Sequence, residues 1–195
     1  HGALITWAIM MEGGIQINSA GKRFSNEHEG YSEQSIKVLQ QPDGIAWNIF
    51  DERLHQLGLG FEDYRVAVSN GAVKSFASID KLAAYIDTSA EIIASSIKDI
   101  EAFTIGKKKC PFGRTFEHTS VLKGPPYYGV KVTGALFHTQ GGLVVDKHAR
   151  VLNKNGDRLP NLFAGGGSAR GISGPSDSGY MAGNGLLTAT TFGRL

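Results

Sequence analysis

Glycines are concentrated at two places in the C-terminal part of the chain where a ligand could be held. The apolar run Leu162-Phe163-Ala164 leads into Gly165-Gly166-Gly167, and Gly183-Asn184-Gly185 precedes the apolar stretch 186–192. Residues without a Cβ let the backbone approach a ring or a sugar closely. A helix that begins at Gly183 presents free amide N–H groups, which favour an anionic group. The pattern predicts a ligand site, although an unliganded glycine turn or glycine-capped helix would show similar letters.

Histidine supplies the next candidate chemistry. In His138-Thr139-Gln140-Gly141-Gly142, the imidazole can donate a hydrogen bond and the glycines let the chain pass a flat ring. Two interpretations of His138 stay open, a ligand contact or a histidine held by strand backbone. His28, Glu117 and His118 lack metal-ligand spacing, so the sequence predicts no metal site. No base and orienting group surround Cys110 in the sequence, so we interpret it as a structural thiol.

These motifs resemble the fumarate reductase and succinate dehydrogenase flavoproteins, an FAD-dependent oxidoreductase family that includes ketosteroid dehydrogenase-like members. GKRFSNE at Gly21–Glu27 and PYYGVKV at Pro126–Val132 match the turn and the strand between which that family inserts a cap, or clamp, domain. The resemblance spans almost the whole chain and implies FAD as the cofactor. It implies cofactor contacts from Gly141, Gly142, Ala164, Gly165, Gly166, Gly183, Asn184, Gly185, Leu186 and Leu187.

Two departures concern the cofactor. Gly167 stands where relatives usually carry an acidic residue that holds the ribityl chain of the flavin. The Gly-x-Gly-x-x-Gly fingerprint that opens such proteins is absent, and the chain begins at His1. We therefore expect the C-terminal portion of a longer flavoprotein, with weak FAD binding when isolated.

Further departures concern the substrate. The resemblance places a carboxylate-gripping histidine at Phe137 and a gripping arginine at Tyr180. It places a Glu-Arg-Arg proton relay at Trp7, Met10 and Tyr31. Two carboxylates in a dry site need a cation, because burying an unpaired anion is costly. The replacements favour an apolar or monocarboxylate, ketone-like substrate.

The resemblance also implies catalytic and substrate-binding roles for individual residues. Ketosteroid dehydrogenases use tyrosines as acids or bases, so Tyr31, Tyr180 and His138 are the candidate catalytic residues. Phe137, His138, Arg170 and Tyr180 are the candidate substrate contacts, with Arg170 able to bind a single carboxylate. For Tyr31, the alternative is an aromatic residue at the cap interface.

An α+β fold must position these residues, with a cap domain inserted between β-rich pieces of an incomplete FAD-binding domain. The family markers assign residues 1–28 and 125–195 to the FAD-binding domain and residues 29–124 to the cap. Ser78 and either Thr88 or Ser89 are typical N-caps for two amphipathic helices in the cap. Strands are expected in GGIQIN, IAWNIFD, AVKSFA, YYGVKV, ALFH, GGLVVD, ARVLN and NLF, with GGIQIN half-buried and a hairpin turn at 155–157.

Composition narrows the function classes. A net charge of +2 and scattered basic residues give no case for nucleic acid or a membrane surface. No apolar run reaches the ~20 residues of a membrane span. One cysteine excludes an intrachain disulfide and favours a reducing, cytoplasmic compartment.

The sequence therefore predicts part of an FAD-dependent oxidoreductase acting on CH–CH groups of a small-molecule substrate. Its electron donor or acceptor is not indicated. Two alternatives stay open. The first is a fumarate reductase or succinate dehydrogenase-like activity that uses Arg170 and His138. The second is a flavoprotein-derived scaffold that binds a partner without catalysis.

Overall fold

The computed structural model describes residues 2–116, 121–136, 138–174 and 176–194. The chain forms two compact units, an N-terminal unit His1–Gly134 and a C-terminal unit Ala135–Leu195. Helices and strands occur in both, which confirms the mixed helix-and-sheet content expected from the sequence. The division after Gly134 differs from the boundaries at residues 28 and 125 that the family markers indicate, and that domain assignment stays a prediction.

The N-terminal unit is built on a four-stranded antiparallel sheet. Its strands are β1 Ile15–Ile17, β2 Ile45–Asp51, β3 Val73–Phe76 and β4 Tyr127–Thr133, in the order β1-β2-β4-β3. β2 pairs with β4 along its whole length, from Ile45 opposite Thr133 to Asp51 opposite Tyr127. The sheet thus combines β1 and β4, from the expected FAD-binding segments, with β2 and β3 from the expected cap.

The described residues of this unit form six α-helices besides the sheet, and local sequence explains where several of them begin. They are α1 Ala8–Met11, α2 Tyr31–Leu39, α3 Glu52–Gly58, α4 Glu62–Ser69, α5 Ile79–Ile86 and α6 Ala90–Thr104. Ser78 accepts a hydrogen bond from the amide of Lys81, and Ser89 accepts one from the amide of Ile92. Both N-cap predictions are confirmed, with Ser89 rather than Thr88 at α6. The apolar faces of the two helices, including Leu82 and Ile93, are buried in the core.

A group of charged side chains is buried beside the core. Arg23 forms an ion pair with Glu27, with Nε 2.7 Å from Oε1, and Arg114 Nη1 lies 3.1 Å from Glu27 Oε2. Arg114 also donates to the carbonyls of Gly14 (2.8 Å) and Met10 (3.2 Å) at the end of α1. Burial opposes ionisation of Glu27, but the hydrogen bonds and charge of Arg23, together with the charge of Arg114, outweigh it and lower the pKa of the carboxyl.

In its described residues, the C-terminal unit forms a hairpin, a glycine turn and one α-helix. Its elements are β5 Arg150–Leu152, β6 Arg158–Phe163 and α7 Asn184–Gly193. The hairpin turn at Asn155-Gly156-Asp157 and the final helix are confirmed. The strand expected in ALFH is wrong at its described residues, where Leu136 is exposed and outside any strand, and GGLVVD forms only isolated bridges at Leu143 and Val145.

Candidate functional site

The glycine turn after β6 packs against α7. A Cβ at Gly165 would lie 3.2 Å from Cβ of Phe192, and one at Gly166 would lie 3.1 Å from Cβ of Ala189. These two glycines therefore allow close packing between the turn and the helix, a role distinct from the ligand approach expected from sequence. A Cβ at Gly167 would meet no atom within 4 Å, so the open face of the turn lies at this residue.

The first turn of α7 offers amide donors. Gly183 adopts a left-handed conformation (φ 78°) at the N-cap, and buried Asn184 anchors the turn by donating from Nδ2 to the carbonyl of Met181 at 2.9 Å. Within the described hydrogen bonds, the amides of Gly185 and Leu186 have no acceptor. Leu186 is 77% exposed in this structure. Two donors and the positive end of the helix dipole thus face an accessible surface that suits an anionic edge.

The turn that carries His138 lies beside this helix start. Its end is held by backbone hydrogen bonds from Leu143 N to the carbonyl of Ser168 and from Arg170 N to the carbonyl of Leu143, each 2.9 Å. A Cβ at Gly185 would lie 3.8 Å from Cε1 of His138. Nε2 of His138 is buried and makes no hydrogen bond to any described residue. The imidazole therefore lies next to the helix amides and has one buried polar atom that no described residue satisfies.

Tyr180 completes the cluster. Its ring meets the His138 imidazole edge-on, with the centroids 5.6 Å apart and the planes at 67°. The preceding loop is closed at its base by a hydrogen bond from Gly174 N to the carbonyl of Gly179 (2.6 Å), where the two glycine backbones touch. Ser173 Oγ accepts a bond from the amide of Met181 at 2.9 Å, which fixes the chain beyond the tyrosine.

The other predicted site residues are placed as follows. Gly141 lies in open surroundings, whereas a Cβ at Gly142 would overlap the carbonyl of Ala169 at 2.4–2.6 Å. Arg170 is exposed on the same unit. Phe137 lies outside the described residues. Tyr31 belongs to the N-terminal unit, where it is the first residue of α2 and 45% exposed.

Several features of the N-terminal unit were not predicted from the sequence. Met10, which stands at one of the relay positions of the family, is fully buried in the core. Trp7 donates from Nε1 to the carbonyl of Glu29 at 3.2 Å, just before Tyr31. Neither Arg114 nor the Trp7 contact had a sequence signal, because each joins residues distant along the chain.

The described residues show neither a metal cluster nor a membrane span. No group of three or more His, Cys, Asp or Glu side chains in the described ranges is placed to hold a metal ion. Of the helices in the described part of the chain, none has both the length and the apolar character that crossing a bilayer requires.

Residues 1–186 match the FAD binding domain family. The chain belongs to this family. It is 27% identical over 194 residues to fumarate reductase (cytochrome) from Shewanella frigidimarina, and the aligned region covers 100% of this chain and 33% of the relative. It is 25% identical over 213 residues to 4-oxocyclohexanecarboxylate 2-dehydrogenase from Sinomonas cyclohexanicum, and this aligned region covers 93% of this chain and 34% of the relative. The open conformation of a flavocytochrome c3 fumarate reductase superposes with a TM-score of 0.71 at 26% identity, over 98% of this chain and 33% of that protein.

The resemblance to FAD-dependent oxidoreductases inferred from the motifs is confirmed, and FAD is the cofactor of this family member. The chain spans about a third of the length of these relatives. The residues of the C-terminal unit fit the flavin. The amides of Gly185 and Leu186, which have no acceptor among the described residues, suit its anionic edge. His138 Nε2 is a buried polar atom without a described partner, and Gly167 leaves space beside the turn.

Proposed function

We propose that the chain is the flavin-ring portion of an FAD-dependent oxidoreductase whose substrate is an apolar or monocarboxylate compound with an activated C–C or C=C bond. FAD supplies the hydride chemistry, and the protein binds, orients and polarises. The observation that carries the proposal is the His138–Tyr180 pair at the start of α7, an imidazole and a phenol where dicarboxylate binding needs cations.

The pair can act on a carbonyl group. A phenol hydroxyl and an imidazole N–H each donate one hydrogen bond, and both donors can stabilise negative charge that develops on a ketone oxygen. Tyr180 and His138 are thus assigned to hold that oxygen and to exchange a proton with it. Arg170 supplies one cation on the exposed surface, which suffices for a single carboxylate.

The proposal includes two parts that rest on the family resemblance. Tyr31 is assigned as a further acid or base, and Phe137 as a substrate contact. Residues 1–28 and 125–195 are assigned to the FAD-binding domain and residues 29–124 to an inserted cap, in a cytoplasmic protein. The relative named for 4-oxocyclohexanecarboxylate supports the substrate class, because that compound combines a ring ketone with one carboxylate.

A fumarate reductase-like activity is the second candidate. The 27% identity to fumarate reductase and the TM-score of 0.71 favour it. In that case Arg170 and His138 would have to bind both carboxylates. A non-catalytic flavoprotein-derived scaffold is a candidate of another class.

Anaerobic reoxidation of the reduced flavin in the full-length protein separates these candidates. Fumarate, a cyclohexenone carboxylate and a 3-ketosteroid enone are added in turn while the flavin absorbance is followed. Reoxidation by either enone and not by fumarate supports the proposal. Fast reoxidation by fumarate overturns it in favour of the dicarboxylate activity, and absence of a flavin band favours the scaffold.

A further inference from the structure

The loop that leads into α2 is fixed at Glu29, two residues before Tyr31. The amide of Glu29 donates to the carbonyl of Asn26 at 3.1 Å, and its carboxylate forms an ion pair with Lys37. Its carbonyl accepts the hydrogen bond from the indole of Trp7 at 3.2 Å. Backbone amide, backbone carbonyl and side chain of one residue are therefore each held by a different partner.

The first turn of α2 is anchored to the same loop. The carboxamide of Gln34, which is almost fully buried, donates to the carbonyl of Asn26 and accepts from Ser25 Oγ at 2.7 Å. The amide of Gln34 donates to the carbonyl of Gly30 at 3.0 Å. Because Tyr31 is the first residue of this helix, the loop and the first turn together fix the backbone that carries its side chain.

The Trp7 contact differs from the others because it comes from outside the loop and α2. Trp7 is the N-cap residue of α1, and its indole bridges 22 positions of the chain. α1 itself is tied to the core by buried Arg114, which binds the carbonyls of Met10 and Gly14. The bond from Trp7 to Glu29 thus connects the tyrosine-bearing loop to the buried core of the unit.

We propose that Trp7 is a positioning residue for Tyr31, an inference that rests on the proposed acid–base role of that tyrosine. The indole N–H donates a hydrogen bond but does not gain or lose a proton near neutral pH. Position 7 therefore holds the loop and does not relay protons. Buried, apolar Met10 is equally unable to do so. Trp7 therefore affects turnover through Tyr31 and leaves the binding of substrate almost unchanged.

The test uses Trp7→Phe in the FAD-loaded full-length protein, with Trp47→Phe as the matched control. Trp47 is a buried tryptophan of β2 that packs edge-on against Tyr85 at 5.6 Å. Trp7→Phe is expected to lower kcat by about fivefold to twentyfold with KM within about twofold, since misplaced catalytic groups reduce turnover strongly. Amide exchange in residues 28–32 should accelerate. Trp47→Phe should change neither kcat nor the amide exchange of residues 28–32.

A Tyr31→Phe background makes the test specific. There Trp7→Phe should cost less than about twofold, because its effect acts through the missing hydroxyl. The inference is overturned if Trp7→Phe lowers kcat as strongly in the Tyr31→Phe protein as in the unmodified one, or if it leaves the amide exchange of residues 28–32 unchanged. Neither result affects the proposed role of Tyr31. Normal turnover of Tyr31→Phe alone overturns both. If Trp7→Phe fails to fold, benzothienylalanine at position 7, which keeps the ring shape without the N–H, provides the same comparison.

Discussion

The imidazole of His138 and the phenol ring of Tyr180 meet edge-on, 5.6 Å between centroids, although 42 positions separate them in the sequence. Two backbone devices create this contact, the turn at residues 138–142 held against residues 168–171 and the loop closed by Gly174 and Gly179. Gly185, at the start of α7, lies beside the same imidazole. Three sequence motifs thus converge at one helix N-terminus.

Removing the polar atoms of the His138 or the Tyr180 ring should slow turnover of an enone substrate. Tyr180→Phe and His138→Phe each keep a ring in place and remove the hydrogen-bonding atoms, so kcat with an enone substrate should fall by about 10²-fold to 10⁴-fold. The double variant should lose less than the product of the single losses, because the two groups act on one oxygen. Stopped-flow flavin reoxidation measures these rates. Fully multiplicative losses would contradict a shared target.

The contact between Gly174 and Gly179 should be intolerant of a methyl group. A Cβ at Gly174 would lie 2.8 Å from Cα of Gly179, and a Cβ at Gly179 would lie 2.6 Å from Cα of Gly174. Either alanine variant must shift the loop before Tyr180, so we expect kcat to fall by about tenfold to 100-fold. Gly193→Ala, where no atom lies within 4 Å, is the control and should retain turnover. Equal kcat values for Gly174→Ala, Gly179→Ala and Gly193→Ala in steady-state kinetics would refute this prediction.

Gly167 should accept an acidic side chain. Its Cβ would meet no atom within 4 Å, and its φ lies outside the left-handed region. The family resemblance implies an acidic residue at this position that holds the ribityl chain, so Gly167→Glu should tighten FAD binding by about tenfold through a charge-assisted hydrogen bond. Titration of the flavin-free protein with FAD gives the dissociation constant. Gly167→Ala is the control, and equal constants for both variants would count against the predicted contact.

The buried ionic group predicts an unequal response to two substitutions. Arg23, Glu27 and Arg114 together carry one excess positive charge. Glu27→Gln leaves two buried arginines without a counter-charge and should lower the free energy of unfolding by about 3–5 kcal/mol. Arg114→Met leaves the Arg23–Glu27 pair neutral but strips the carbonyls of Met10 and Gly14 of a donor, a loss of about 1–3 kcal/mol.

Urea unfolding monitored by circular dichroism measures both effects. Asp99→Asn, which removes the partner of exposed Lys108, is the control and should change the free energy of unfolding by less than about 0.5 kcal/mol. If Arg114→Met proves more damaging than Glu27→Gln, the assigned charge balance of the group is wrong.

Local signals in the sequence were sufficient for much of the fold. The caps at Ser78 and Ser89 and the apolar faces of α5 and α6 are determined within a few residues, and each was predicted correctly. The strand expected at Ile15–Ile17 is confirmed, but the expectation that it is half-buried was wrong, because Gln16 is also buried and donates to Asn48, at 2.8 Å, on a strand further along the chain. A strand in ALFH was predicted from composition, which cannot show whether a pairing strand is present.

The candidate site was predictable in its motifs but not in its contacts. Glycine turns and the start of α7 have direct sequence signatures, whereas the edge-on contact of His138 with Tyr180 depends on loop closure. The link from Trp7 to Glu29 and the reach of Arg114 to Glu27 depend on tertiary packing. Residue types alone indicated at most that position 7 is not a proton relay.

Stability of the N-terminal unit should fall as the pH is lowered from about 7.5 to about 5. Burial lowers the pKa of His55, with the charge of Glu52 in opposition, and burial followed by the charge of Arg114 lowers the pKa of His28. A histidine whose folded pKa is depressed favours folding while it is neutral. Its contribution is therefore complete above the unfolded pKa of about 6.5 and is lost as the pH falls through the folded value.

His55 offers a direct check of this pH dependence. Its Nδ1 lies 2.7 Å from the hydroxyl of Tyr64, and its ring stacks on Tyr128 with centroids 4.2 Å apart. Burial raises the pKa of Tyr64, so that hydroxyl keeps its proton and can donate to Nδ1 until the imidazole is protonated. His55→Phe preserves the stack and removes the titration, so urea midpoints measured from pH 7.5 to pH 5 should decline less steeply in this variant. An equal slope in both proteins would show that His55 does not contribute to the loss.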